Sequence, residues 1–378
     1  MAVRTVCFPL DLTKDQELSL SKTIDLYAKA WKLCVDVAWD MKYLTKHKVH
    51  DETYYKIKKE LKLKSQYICS SRNKAVESVS ALRVLKRRGK KVSKPKIGKI
   101  PIRLDSRTLS FSKDRKVASI TTQRGRIKIP LIWHRQAKKY EQWSCKAGEI
   151  GFDRKNRWVL WLIFEKRITL PVKTGVVLGG DRGIKHPIVL SNNIFYGAKW
   201  WNEHERKLLL LISNLQRTGT KSAKRHINKV WRRLKRFREN CDRIIAKGII
   251  ASLQPGDTIV LEDLTNIRDS CGVKGKARKK HREKVGRWSF DRLNNTINYN
   301  AELHGIHIEY VKANYTSQTC SSCGVVEKNN RKSQSLYACS CGLTLHADLN
   351  AARNIANKWC DANGGTPGPI VNRPIVAN

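Results

Sequence analysis

No stretch of the sequence approaches the roughly 18 consecutive apolar residues that a membrane-spanning helix needs. The opening MAVRTVCFPLDLTKDQ also lacks the basic-then-apolar order of a secretory leader. Both absences lead to the expectation of an intracellular protein, cytoplasmic or nucleoid-associated, with no membrane partner. Acidic residues are scarce: 32 Asp and Glu face 76 Lys and Arg, a formal charge of +44. Such a chain repels itself unless a polyanion neutralises it, so nucleic acid is the expected partner. A basic ribosomal-type protein and a membrane-surface binder share this charge, but 40% hydrophobic residues and 11 tryptophans argue for well-formed cores. No internal repeat of roughly 20 to 50 residues is visible, which argues against solenoids and propellers. The 378 residues exceed the usual size of one hydrophobic core and predict two or three.

Eleven cysteines are present, and seven of them (Cys7, Cys34, Cys69, Cys145, Cys241, Cys271 and Cys360) stand singly among apolar or basic neighbours. They read as reduced, mostly buried thiols. The other four cluster as CSSCG, with Cys320 and Cys323, and CSCG, with Cys339 and Cys341. Two tight loops about 16 residues apart suit tetrahedral sulfur coordination of zinc. The second pair has only one residue between its cysteines, which leaves His346 as a conceivable substitute ligand. Four thiolates leave no open coordination position, so the ion is expected to be structural.

Along the chain, AVRTVCFPL reads as a strand, followed by helices from Thr13 to about residue 88, with Thr13 and Gln16 spaced as a capping box. Nine basic residues and no acid lie between Arg83 and Lys99, either a solvated hinge or a phosphate-contacting loop. The segments TLSFS, VASITT, GRIKIPL, GEIGF and WVLWLIFEK then have the short spacing of a small barrel. In the second half, VVLGGDRGIKHPIVLSNNIFYG reads as two or three strands. A long helix follows from Ser222, with Ile227, Trp231, Leu234, Cys241, Ile245 and Ile249 along one face. GDTIVLEDL and IHIEYVKA read as strands flanking a basic loop, Lys274 to Arg287, and the helix FDRLNNTINYNAELHG. This alternation predicts an α/β organisation. The Gly-, Pro- and Asn-rich end, 361–378, is expected to be disordered.

Taken singly, Asp181 reads as a turn residue, Glu262 or Asp263 as a strand-end cap, and Asp348 as a helix N-cap. Jointly, Asp181 ends one strand, Glu262 ends another, and Asp348 opens a helix after a further strand. That is the order of an RNase H-like nuclease core. Two adjacent strands and a helix packed on them bring three carboxylates together. Such a set suits a pair of Mg2+ or Mn2+ ions that activate water against a phosphodiester. Ala351 and Ala352 are small enough to let the helix lie close.

The motifs GGDRGIKHPIVLS, IVLEDL, YTSQTCSSCG and CGLTLHADLNAARNI, in that order, resemble those of the TnpB proteins of insertion sequences, compact relatives of type V CRISPR effector nucleases. The resemblance covers roughly the second half of the chain. It implies a multidomain α/β protein: an RNase H-like (RuvC) nuclease core with an inserted zinc knuckle, plus an N-terminal β-barrel wedge domain carrying a helical insertion. The implied boundaries are 1–12 and 93–172 for the wedge, 13–92 for the helical recognition insertion, 173–315 and 346–360 for the nuclease domain, and 316–345 for the knuckle. It implies catalytic, Mg2+-binding Asp181, Glu262 and Asp348, and structural Zn2+ on Cys320, Cys323, Cys339 and Cys341. The implied partners are a guide RNA and double-stranded target DNA with a short adjacent motif; the oligomeric state is left open, with a monomer in complex with RNA favoured. The CxC pair, and Asn300 where similar proteins commonly carry lysine, depart from the family. The implied function is an RNA-guided, Mg-dependent DNA endonuclease with one RuvC-like site. The rivals are a nuclease-inactive RNA-guided repressor and a transposase-type strand-transfer enzyme.

Overall fold

A computed structural model describes residues 1–173, 175–264, 290–368 and, for the backbone, 375–377. The basic loop Lys274 to Arg287, with Lys276, Arg278, Lys279, Lys280 and Arg282, lies outside the described residues, as does Cys271. The chain divides into two compact units, Met1–Arg167 and Ile168–Asn378.

The first unit opens with β1 (Ala2–Pro9), whose residues alternate buried and exposed, as expected of a strand with one face on a core. Three helices follow, α1 (Lys14–Asp40), α2 (Lys46–Leu61) and α3 (Ser65–Arg87). At the start of α1 the Thr13 hydroxyl accepts from the Gln16 N–H, and the Gln16 side chain accepts from the Thr13 N–H. This is the capping box expected from the sequence. Strands β2 (Ile102–Leu104), β3 (Leu109–Phe111), β4 (Val117–Thr122) and β5 (Gly125–Pro130) precede the short α4 (Arg135–Lys138) and the long pair β6 (Ser144–Phe152) and β7 (Trp158–Lys166). They form two antiparallel sheets, β1-β7-β6-β2 and β3-β4-β5.

The second unit contains β8 (Val176–Asp181), β9 (Ile188–Leu190), β10 (Ile194–Tyr196), α5 (Lys199–Thr218), α6 (Lys221–Ala251), β11 (Thr258–Asp263), α7 (Phe290–His304), β12 (His307–Lys312), β13 (Leu336–Ala338), β14 (Thr344–His346) and α8 (Ala347–Asn363). Its main sheet runs β12-β11-β8-β9-β10. Strands β8, β11 and β12 are parallel, and β9 is antiparallel to β8 and β10. Numbered within the unit this is the 3-2-1-4-5 order of an RNase H-like core. One face packs Leu178, Leu261, Ile259 and Leu190 against Ile245 and Ile249 of α6 and Ile297 of α7. The other packs Val177 and Val260 against Ile355, Ala356 and Trp359 of α8.

Helix α5 carries no role in the sequence reading, yet its Leu208 and Ile212 bury against Val230 and Leu234 of α6. Gly219, at φ +68, makes the left-handed turn between the two helices. The buried stripe of α6 passes through Val230, and Trp231, expected on that face, is 41% exposed. Stepping from Ile227 by three residues reaches Val230, whereas a four-residue step reaches Trp231, so only the α5 partner decides which of the two is covered.

For its described residues, 361–368 and 375–377, the expectation of a disordered 361–378 is corrected. Residues 361–363 continue α8, β15 (Thr366–Pro367) pairs in parallel with Val176–Val177, and β16 (Ile375–Ala377) pairs in parallel with β10. Strand β9 occupies its edge of β8 only at Gly180 and Asp181, so the start of that edge has unpaired backbone groups that β15 satisfies. The N–H of Gly368 completes this with a 2.8 Å bond to the Val177 carbonyl.

One glycine, Gly179, explains how closely α8 lies on the sheet. A Cβ on Gly179 would stand 2.0 Å from the Ala352 carbonyl oxygen and 2.7 Å from the Ala356 nitrogen. Both are backbone atoms, so no side-chain rotation relieves the clash. Gly179→Ala is therefore expected to displace α8 and cost about 1–3 kcal/mol of stability in denaturant unfolding. An unchanged unfolding midpoint would mean that the helix sits farther from β8 than described.

Candidate active site and four-cysteine knuckle

Side chains alternate across a sheet, so Val177, Gly179 and Asp181 of β8 face the side covered by α8, as do Val260 and Glu262 of β11. In the parallel register Leu261 lies opposite Gly180, which sets Glu262 beside Asp181 at the strand ends. Asp348 is the second residue of α8 and is 93% buried, and Glu262 is 91% buried. Asp263, which alternates to the other side, is exposed. The sheet and one helix thus bring together acids separated by 81 and 86 positions in sequence.

Burial, followed by the charges of Glu262 and then Asp348, pushes the Asp181 carboxyl well above its ordinary range. Burial also raises Glu262, against the opposing effects of the Thr316 hydroxyl and the nearby Arg182 guanidinium. Among the described residues, no donor hydrogen-bonds the Asp181 carboxylate. Arg182 donates to the main-chain carbonyl of Glu262, and Arg331 lies 3.3 Å from Asp348 Oδ1. Neighbouring buried carboxylates with so little cationic compensation are disfavoured when charged and favoured by a bound cation. Their all-oxygen donor set suits a hard divalent ion. Their oxygens are not drawn as tightly together as the thiols described next.

Among the described residues, the four cysteines Cys320, Cys323, Cys339 and Cys341 are the group of metal-ligating side chains whose ligand atoms all lie within 4.8 Å of one another. Cys320 Sγ is 3.6 Å from Cys341 Sγ, and Cys323 Sγ is 3.7 Å from Cys339 Sγ. Four sulfurs about 2.3 Å from a zinc ion at tetrahedral angles would be separated by about 3.8 Å, so the spacing fits. Each pair is followed by a glycine at positive φ, Gly324 at +75 and Gly342 at +92. The Gly324 N–H bonds the Cys320 carbonyl, and the Gly342 N–H bonds the Cys339 carbonyl. The second turn is one residue tighter, which is how the CxC pair reaches the same cluster. The Cys341 backbone N–H pulls the buried Cys339 thiol down to about 7, and Asn330 Nδ2 lies 3.5 Å from its sulfur.

His346 does not substitute for a cysteine. Its Nδ1 accepts the Asp348 N–H at 3.2 Å, making it the N-cap of α8, a role the single-residue reading gave to Asp348. The hairpin β13–β14 ends at this residue, pairing Leu336 with His346, so the knuckle runs directly into the acid-bearing helix. Of the scattered cysteines, Cys34, Cys241 and Cys360 are buried, whereas Cys7 is exposed. Sequence reasoning gave no role to Arg182 or Thr316, both buried beside Glu262. The first looks like any of 76 basic residues and the second like a loop threonine; only contact distinguishes them.

The fold and the acids at the strand ends define a multidomain α/β protein with a RuvC-type nuclease fold. A solved Cas12f1–sgRNA–target DNA complex shares it, with a TM-score of 0.63 at 18% identity over 90% of this chain and 83% of that one. The family model described as Cas12f1-like, TNB domain, matches residues 290–355. TnpB-like protein MJ0751 of Methanocaldococcus jannaschii is 28% identical over 273 residues, covering 65% of this chain and 91% of that protein. The CRISPR-associated endodeoxyribonuclease Cas12f1 of Sulfoacidibacillus thermotolerans is 42% identical over 100 residues, 26% of this chain, and the match spans only 21% of that relative's length. The chain is thus similar to TnpB-like proteins and, over its C-terminal part, to the Cas12f effectors. No helix among the described residues is long and apolar enough to cross a membrane.

Proposed function

We propose that the protein is an RNA-guided DNA endonuclease that hydrolyses target DNA at a single RuvC-like site formed by Asp181, Glu262 and Asp348. The observation that carries this reading is the convergence of three acids from β8, β11 and α8 on one sheet face, where burial and mutual repulsion call for a cation. The three carboxylates would hold Mg2+ or Mn2+, which when bound supplies an activated water and stabilises the leaving oxygen. Asp181 and Glu262, fixed by strand register, set one side of the site, and Asp348 closes it from the helix. The four thiolates would hold a structural Zn2+ that braces the entry to α8.

In this reading residues 173–315 and 346–360 are the nuclease domain and 316–345 its knuckle. The two antiparallel sheets of the first unit support a wedge-like barrel from 1–12 and 93–172, and the three helices between them support a recognition insertion at 13–92. The charge of +44 supports a resting state bound to guide RNA, with double-stranded DNA selected by base pairing beside a short adjacent motif. RNA is expected to copurify with the protein, and plasmid cleavage is expected to require both Mg2+ and a target matching that RNA. Strand-transfer products formed without RNA would select a transposase, and guide-dependent DNA binding without cleavage would select a repressor.

A further inference from the structure

The segment between β12 and the first cysteine pair connects two of the three acid-bearing elements. Thr316 is buried, and its Oγ1 lies 2.5 Å from Glu262 Oε1 and 3.0 Å from the Ala313 carbonyl. A hydroxyl has one proton, and the shorter contact, to the carboxylate, is the stronger charge-assisted bond. Among the described residues, Oε2 of Glu262 accepts no hydrogen bond. The backbone around Thr316 is in turn held from α8. Asn354 Nδ2 donates to the carbonyls of Thr316 and Thr319 at 2.8 and 2.6 Å. One turn on either side, Asn350 bonds the Thr319 carbonyl and the Ser321 N–H, and Lys358 bonds the Lys312 carbonyl. Residues 350, 354 and 358 repeat every four positions and therefore share one face of the helix that carries Asp348.

We infer that Thr316 is a positioning residue for the nuclease site: anchored to α8 by Asn354, its hydroxyl holds one oxygen of Glu262 and leaves the other facing the cation site. The inference rests on the nuclease reading above. It gives the segment before the first cysteine a task that a metal brace alone does not require, since Thr316 precedes that thiol by four residues. Hydrogen bonds to ligating carboxylates commonly change metal affinity by about 10- to 100-fold when removed. Thr316→Val keeps the shape of the side chain and deletes the hydroxyl.

The test titrates Mn2+ into the guide-RNA complex and follows free ion by electron paramagnetic resonance. The Asp181→Asn complex supplies the background of ions held by RNA. Thr316→Val is expected to weaken site binding about 10-fold or more and to raise the Mn2+ midpoint for cleavage to match, with melting temperature and guide-RNA binding unchanged. Thr316→Ser is expected to restore both. A valine variant that binds Mn2+ like the parent overturns the inference, as does a serine variant as impaired as valine. If the valine variant does not fold, Thr316→Ala is read against serine in the same way. Full cleavage by Asp181→Asn would remove the nuclease reading itself, whereas an inactive Asp181→Asn beside a normal Thr316→Val removes only the role of Thr316.

Discussion

Asp181→Asn is expected to lower target cleavage by at least about three orders of magnitude while leaving guide-RNA binding unchanged, because it removes a metal-holding charge without changing shape. The same substitution is expected to stabilise the protein in the absence of divalent ions. A carboxyl whose folded-state pKa is raised favours folding only while protonated. Its contribution is therefore greatest below the unfolded value of about 4 and is lost as pH rises through the raised folded value. Burial beside Glu262 and Asp348 raises Asp181 in this way, so the gain from asparagine should be small in acid and grow toward pH 8. Melting curves at several pH values with EDTA, beside cleavage assays with Mg2+, measure both effects. A variant that cuts like the parent, or one less stable than the parent without metal at pH 8, contradicts the electrostatic account of the site.

Cys339→Ser is expected to abolish the bound zinc, from about one ion per chain to none by atomic absorption, and to reduce cleavage more than about 10-fold. The knuckle has little else to hold it: Tyr337, Cys320, Cys339 and Ala347, with Leu343 alongside, form its whole apolar cluster. Without the ion the β13–β14 hairpin loses its anchor, and with it the His346 cap that begins α8 one residue before Ala347 and two before Asp348. Cys7→Ser, at an exposed thiol far from the cluster in sequence, should leave zinc content, melting temperature and cleavage unchanged. Full zinc occupancy in the Cys339 variant would mean that another residue completes the coordination shell. Normal cleavage without zinc would remove the knuckle from the support of Asp348.

Much of the candidate site was legible before any coordinates, and particular residues show why. Cysteine pairs announce themselves, since tetrahedral coordination restricts both residue type and spacing. The single residue between Cys339 and Cys341 was the exception, and the positive φ of Gly342 accounts for it. The acids were legible only as a set, from Asp181 and Glu262 at the ends of β8 and β11 and Asp348 at the start of α8. Trp231 and the described residues of the 361–378 tail were misread for the same reason: each depends on what lies beside it. A four-residue step along α6 is as good a helical period as three, and a Gly- and Pro-rich tail pairs only if a neighbouring strand has an edge to fill.

By itself, then, the sequence led to the expectation of a polyanionic partner and singled out the four candidate sulfur ligands, the α/β alternation and the three candidate acids. These follow from charge balance, ligand chemistry and periodicity, all of which are local or additive along a chain. Only the tertiary structure decided that Gly179 lets α8 lie against β8, that His346 caps that helix, and that Thr316 and Arg182 stand beside Glu262. Those facts are contacts between segments far apart in the chain, and no local pattern encodes which of many similar threonines or arginines the packing will select.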